Sequence, residues 1–193
     1  DVFALCSNLA DSWESNADFT QWTFTIRDGV TWHDGTEFTA EDARWYLDLA
    51  LNGSGERKSA NWKSNLGPIT NIETMGSDKV RITLSQGSAR YPSLLSPVGQ
   101  KVAHPKHLMQ LEIDKGNATV GPDEVGWVAT GPFKMDNYQK GSVVKLRRND
   151  RYWEVDEKGH QMPFLDGIDF PIITDSSAMF AAFRTGRLDG TAR

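Results

Sequence analysis

Trp22–Asp42 reads WTFTIRDGVTWHDGTEFTAED, and three kinds of local structure are legible in it. Trp22-Thr23-Phe24-Thr25-Ile26-Arg27 alternates apolar and polar residues, the period of two that turns one face of a strand into a core. Asp28-Gly29 is a turn dipeptide, since glycine takes a positive φ at little cost, so Val30-Thr31-Trp32 is expected to return as the second strand of a hairpin. His33-Asp34-Gly35 makes another turn. Thr39 then offers a helix N-cap with Asp42 three residues on, and Glu41 and Asp42 put negative charge where the helix dipole favours it. A helix is predicted from Ala40, with Ala43, Tyr46, Leu47, Ala50 and Leu51 on one stripe and Asn52-Gly53 as its stop.

Outward from this stretch the pattern repeats. Ile69–Met75 and Lys79–Ser85 flank Gly76-Ser77-Asp78 and read as a hairpin, with Val80, Ile82 and Leu84 alternating against polar neighbours. Pro105 at a first helical position, followed by Leu108, Met109, Leu111 and Ile113, predicts a short helix to Gly116. Asn117–Gly126 reads as a loop. Pro132–Gln139 and Ser142–Asn149 form a second hairpin around Lys140-Gly141, and Ile168–Thr174 one more strand. Asp175 or Ser176 caps a last helix with Met179, Phe180, Ala182 and Phe183 on its apolar face and Gly186 at its end. Strand pairs interleaved with short helices make an α+β chain. A boundary near Val128 separates two lobes, and the second, at about 65 residues, is marginal alone, so something should complete it; the sequence is expected to continue beyond Arg193.

The 193 residues are 38% hydrophobic and 24% charged with a net charge of −5. That composition buries a core, leaves no room for a third full domain, and lacks the basic block that nucleic acid requires. No apolar run approaches the roughly 20 residues of a membrane helix. The single cysteine, Cys6, forbids an internal disulfide and a Cys-rich metal site, and a small buried thiol is its expected role.

Chemistry has little to stand on. His104 and His107 share a helix face at i, i+3, but no third ligand stands nearby, and two solvated histidines around Pro105 are the preferred reading. Asp34, Glu37, Glu41 and Asp42 form the densest carboxylate cluster. Paired carboxylates serve glycoside hydrolysis, yet a turn explains Asp34, a cap explains Asp42, and Glu37 and Glu41 are expected to face solvent. Neither a Gly-x-Ser-x-Gly element nor a phosphate-cradling glycine loop is present. Of seven tryptophans, Trp22 and Trp32 fall on inward strand positions, whereas Trp62 sits in a polar loop suited to stacking on ligand.

The order of motifs resembles one family. Leu9–Glu14 and Trp22–Asp42, then Thr130-Gly131-Pro132-Phe133, Leu146–Asn149 with Tyr152-Trp153, Leu165-Asp166, and Phe183–Asp189 resemble the successive signatures of the family 5 extracellular solute-binding proteins of peptide and nickel ABC importers. The resemblance covers nearly the whole chain and is weakest over Gly53–Leu66. It implies a type II periplasmic-binding-protein-like fold of the peptide-binding class, with residues 1–127 an accessory lobe and 128–193 part of a ligand-gripping lobe, cut before the opposing lobe. An exposed apolar face is expected where the missing parts would pack.

By that resemblance the protein is no enzyme, needs no cofactor or metal, and binds a solute between closing lobes for membrane permease subunits. Oligopeptides are the leading ligand class, with oligosaccharides and metal chelates as others. The location implied is periplasmic or extracellular, with a lipid anchor on the full-length protein left open. Trp62, seven residues before the Ile69 strand, matches a cleft-facing tryptophan of nickel-binding members, and packing on its own lobe is the equal alternative. Pro97-Val98-Gly99-Gln100 is a second cleft candidate. The rival reading is a carbohydrate-binding or glycoside-active module with tryptophan platforms and the Asp34–Asp42 carboxylates; a weaker third is a chaperone-like binder of unfolded chains.

Overall fold

The structure, a computed structural model, describes residues 8–53, 66–95, 104–117 and 120–191. It divides into two compact units, one of residues 1–130 with 151–153, the other of residues 131–150 and 154–193.

The first unit is built on a four-stranded antiparallel sheet of order β1-β2-β4-β3, with β1 at Ala10–Ser15, β2 at Gln21–Ile26, β3 at Ile69–Met75 and β4 at Lys79–Leu84. The alternation in the opening motif does what it should: Trp22, Phe24 and Ile26 of β2 and Val80, Ile82 and Leu84 of β4 all point into one core. The expected hairpin from β2 to Val30–Trp32 does not form. Both edges of β2 are taken, by β1 and by β4, so the returning segment has no ladder left to join. It closes on itself instead: Trp32 donates its N–H to Thr36 O at 2.7 Å, Phe38 donates to Val30 O at 2.9 Å, and Thr31 bridges Glu37. The loop drives Val30, Trp32 and Phe38 into the same core, all of them buried. Strand β1, Ala-Asp-Ser-Trp-Glu-Ser, carries no apolar alternation; it joins through backbone pairing with a register shift between Ala10 and Ser12, and packs Ala10 and Trp13 against the core.

Helix α1, Ala40–Asn52, starts where the cap predicts. Asp42 Oδ2 accepts both the N–H and the hydroxyl of Thr39 at 2.9 Å, and Gly53, at φ 72°, closes the other end with its N–H on Leu49 O at 2.8 Å. The helix lies against β3 and β4. Its second face carries Trp45, which with Tyr46, Met109 and Val120 makes a smaller buried cluster. Three more helices complete the unit's described part: α2 at Tyr91–Leu94, α3 at Lys106–Asp114 and α4 at Pro122–Val125. Pro105 is the N-cap of α3 rather than its first residue. Helix α4 stands in the expected loop, with Pro122 opening it and Glu124 Oε2 accepting the Gly121 N–H at 2.7 Å. The thiol of Cys6 lies outside the described residues.

The second unit holds a three-stranded antiparallel sheet, β5 (Phe133–Gln139), β6 (Val143–Arg148) and β7 (Gly167–Pro171), followed by helix α5 (Ser176–Arg184). Strand β7 stops short of the expected Thr174, at Pro171, because its partner β6 begins opposite it at Val143; a single further bond, Ile172 N–H to Ser142 O at 2.7 Å, lies at the turn. Asp175 caps α5 by accepting the Ala178 N–H at 2.7 Å. Asn149 is buried where β6 ends: its N–H reaches Pro132 O at 2.8 Å and its amide reaches Gly131 O at 3.1 Å.

Candidate functional site

Trp62, Pro97, Val98, Gly99 and Gln100 lie outside the described residues, so the candidate site is approached through the residues that flank them. The chain resumes after the first segment at Leu66 and enters the second after Leu95. These flanks adjoin. Gly67, at φ 76°, sits so close to α2 that a Cβ placed on it would lie 3.5 Å from both Leu94 Cδ1 and the Tyr91 ring. Leu66 and Tyr91 are buried, and burial pushes the Tyr91 hydroxyl pKa up. One anchored point of the fold therefore carries one end of each segment that the sequence singles out for ligand.

The far flank of the second segment is held by α3. Lys106 Nζ reaches Glu41 Oε1 at 2.7 Å, His107 Nε2 lies 2.7 Å from Asp34 Oδ2, and Gln110 accepts the indole N–H of the buried Trp45 at 2.7 Å. The ring of His104 meets Tyr46 edge-on at 5.6 Å. His107 is thus not the solvated ring expected, because it is held by the Asp34 carboxylate, whereas His104 is exposed as expected, with its ring edge-on to Tyr46.

Glu41 also departs from expectation. It grips Arg44 through two contacts of 2.7 and 2.8 Å as well as Lys106, and the Arg44 hydrogen bonds, against the opposing effect of burial, hold its carboxyl down at about 2. For Asp34 burial is the largest single influence and acts upward, but hydrogen bonds from His107 and Thr36 outweigh it and leave the carboxyl below its ordinary range. Asp42 is spent on the cap. A general acid needs a carboxyl that holds a proton near neutral pH, and the lowered carboxyls of Asp34 and Glu41 do the opposite. Among the described residues no group of three His, Cys, Asp or Glu could hold a metal ion.

Sequence reasoning missed the Trp45–Gln110 tie. Its signal was the i, i+4 pair Trp45 and Leu49, a second apolar stripe on α1 beside the one that faces the sheet.

The family described as bacterial extracellular solute-binding proteins, family 5 Middle, matches residues 5–193. The chain belongs to this family. Among curated family 5 relatives, a probable ABC transporter-binding protein of Deinococcus radiodurans is 28% identical over 94% of this chain and 32% of its own length. The oligopeptide-binding protein OppA of Bacillus subtilis is 26% identical over 94% of this chain and 34% of its own. The solved structure of MoaA from Agrobacterium tumefaciens R10 with mannopinic acid aligns with a TM-score of 0.77 at 30% identity, covering 95% of this chain and 34% of that one. The chain therefore spans about a third of the length of the curated relatives it matches. Its fold is that of the type II periplasmic binding proteins of the peptide- and nickel-binding class.

Proposed function

We propose that this chain is the N-terminal part of a solute-binding protein that presents oligopeptides to the permease subunits of an ABC importer. The observation that carries the reading is the match to family 5 across residues 5–193, with the oligopeptide-binding OppA among the relatives. Solute-binding proteins of this family are not enzymes, and no catalytic role is proposed for this chain. Residues 1–127 form the accessory lobe and 128–193 the start of the ligand-gripping lobe. Trp62 and Pro97-Val98-Gly99-Gln100 face the ligand, on segments whose near ends meet at Gly67 and α2. The place of work is periplasmic or extracellular; no helix of the described residues is long and apolar enough to cross a membrane.

The test is native mass spectrometry of the full-length protein from its own host, followed by calorimetry with a defined oligopeptide set, nickel–histidine and mannopinic acid. A co-purifying peptide mass and saturable peptide binding are expected, with Trp62→Ala weakening it roughly tenfold, as the loss of one stacked aromatic would. Binding of nickel–histidine or mannopinic acid alone would overturn the peptide reading. Unchanged peptide affinity in Trp62→Ala would remove that residue from the site.

A further inference from the structure

The opening motif contains one dipeptide twice. Asp28-Gly29 and Asp34-Gly35 lie close together in the chain, and both glycines take a positive φ, 73° and 94°. Asp-Gly is the pair most open to attack on itself. With no side chain on the second residue to obstruct it, the glycine nitrogen can reach the aspartate carboxyl carbon and close a five-membered ring. The two copies have opposite surroundings.

At Asp34 both reacting groups are held elsewhere. Gly35 donates its N–H to Trp32 O at 2.8 Å, Asp34 Oδ1 accepts the Thr36 N–H at 3.0 Å, and Oδ2 lies 2.7 Å from His107 Nε2. The turn is crowded too, since a Cβ placed on Gly35 would strike the Arg151 guanidinium. Ring closure there requires these hydrogen bonds to open first. At Asp28 the nitrogen and the carboxyl are already each other's partners: Gly29 donates its N–H to Asp28 Oδ1 at 3.0 Å. Both residues are exposed, and nothing stands within 4 Å of where a Cβ on Gly29 would be, so the turn is free to adjust.

We propose that Asp28-Gly29 is a site of spontaneous isoaspartate formation in the folded protein, and that the fold protects Asp34-Gly35 from the same reaction. The Gly29 nitrogen bonds to Asp28 Cγ, the carboxyl O–H leaves with the amide proton as water, and a succinimide remains. Water then reopens the ring. Attack at Cγ restores aspartate, whereas attack at the main-chain carbonyl carbon leaves the chain running through Cβ and Cγ. One water is lost and one gained, and no oxidant, reductant or cofactor is consumed. The neutral carboxylic acid is the reactive form, because its hydroxyl departs as water. At Asp34 burial acts to raise the pKa, but hydrogen bonds from His107 and Thr36 outweigh it and hold the carboxyl below its ordinary range, which adds to its protection. Isoaspartate lengthens the main chain by one atom between Ile26 and Val30, both buried in the core, so the aged protein should melt at a lower temperature.

The test is to age the full-length protein at mildly acidic pH in heavy-oxygen water, digest it, and map it by electron-transfer mass spectrometry, which separates isoaspartate from aspartate at each position. Isoaspartate carrying one heavy oxygen is expected at residue 28 in roughly tenfold or greater excess over residue 34, a margin set by the hydrogen bonds that must open first at the second site. In denaturing urea the two sites should convert at similar rates. Asp28→Glu, which would need a six-membered ring, should abolish the signal at 28 and leave that at 34 unchanged; if this variant fails to fold, the wild-type comparison still decides. Equal conversion at 28 and 34 in the folded protein, or none at 28, would overturn the proposal. So would an equally large difference in urea, which would place the cause in the neighbouring sequence and not in the fold.

Discussion

In the first unit β2 and β4 set Trp22, Phe24, Ile26, Val80, Ile82 and Leu84 on one face, and the loop at Val30–Phe38 seals that face. In the second, β6 and β7 alternate just as regularly, with Val144, Leu146, Ile168 and Phe170 on one side, and the result is a half-buried surface. The same local pattern thus gives a core in one place and a half-open face in the other. Alternation decides which side chains point together; burial requires a second layer. The free energy of folding is accordingly concentrated in the first unit, at about 1.5–3 kcal/mol for each large apolar side chain fully removed from water.

Substitutions can break or sharpen that contrast. The largest effect is expected from Trp32→Ala, since Trp32 is 1% exposed and packs edge-on against Phe38 at 5.5 Å; urea unfolding should show a loss of about 3–5 kcal/mol. Were Leu146→Ala on the half-open face to cost as much in this 193-residue chain, the contrast would fail. Next comes Asn149→Ala, the one buried polar side chain described in the second unit. Loss of its bond to Gly131 O should cost about 1–2 kcal/mol and speed amide exchange at the start of β5.

Removing the helix cap with Asp42→Ala should lower stability by about 1 kcal/mol, read as a drop in melting temperature, because two donors on Thr39 lose their acceptor. The smallest effect concerns pH. Glu41 titrates near 2 in the folded protein against 4.5 ordinarily, a depressed folded value, so its contribution is complete above pH 4.5 and fades as pH falls from there toward 2. With its side chain 41% exposed, screening holds that contribution to about 1 kcal/mol or less. Glu41→Gln should therefore flatten the acid limb of the stability profile slightly and leave pH 7 to 9 untouched in slope; an unchanged acid limb would show that the ion pairs of Glu41 with Arg44 and Lys106 carry no net stability.

Much of the fold was legible along the chain. The β3–β4 hairpin, α1 with its Thr39–Asp42 cap, the β5–β6 hairpin and the Asp175 cap of α5 stand where period, turn residues and capping chemistry place them. Each depends on neighbours within a few residues. What failed were statements about partners far apart in sequence. Val30–Trp32 was free to be a strand until β4, some fifty residues on, took the edge of β2. His107 read as solvated because Asp34, its partner, is 73 positions away, and Glu41 because Lys106 is 65 away. Of the candidate site, the anchor formed by Gly67 against Tyr91 and Leu94 had no signal in the sequence, since a glycine in a turn looks the same whether or not a helix packs against it.

The sequence by itself determined α1, α5 and the β3–β4 and β5–β6 hairpins and, through the order of its motifs, the family, because these follow from local stereochemistry and a linear pattern. Only the tertiary structure decided which face became a core and which stayed half open, and which charges found each other across α1, α3 and the Asp34 turn. Those outcomes depend on long-range layer contacts, and a one-dimensional pattern does not encode which second layer will arrive.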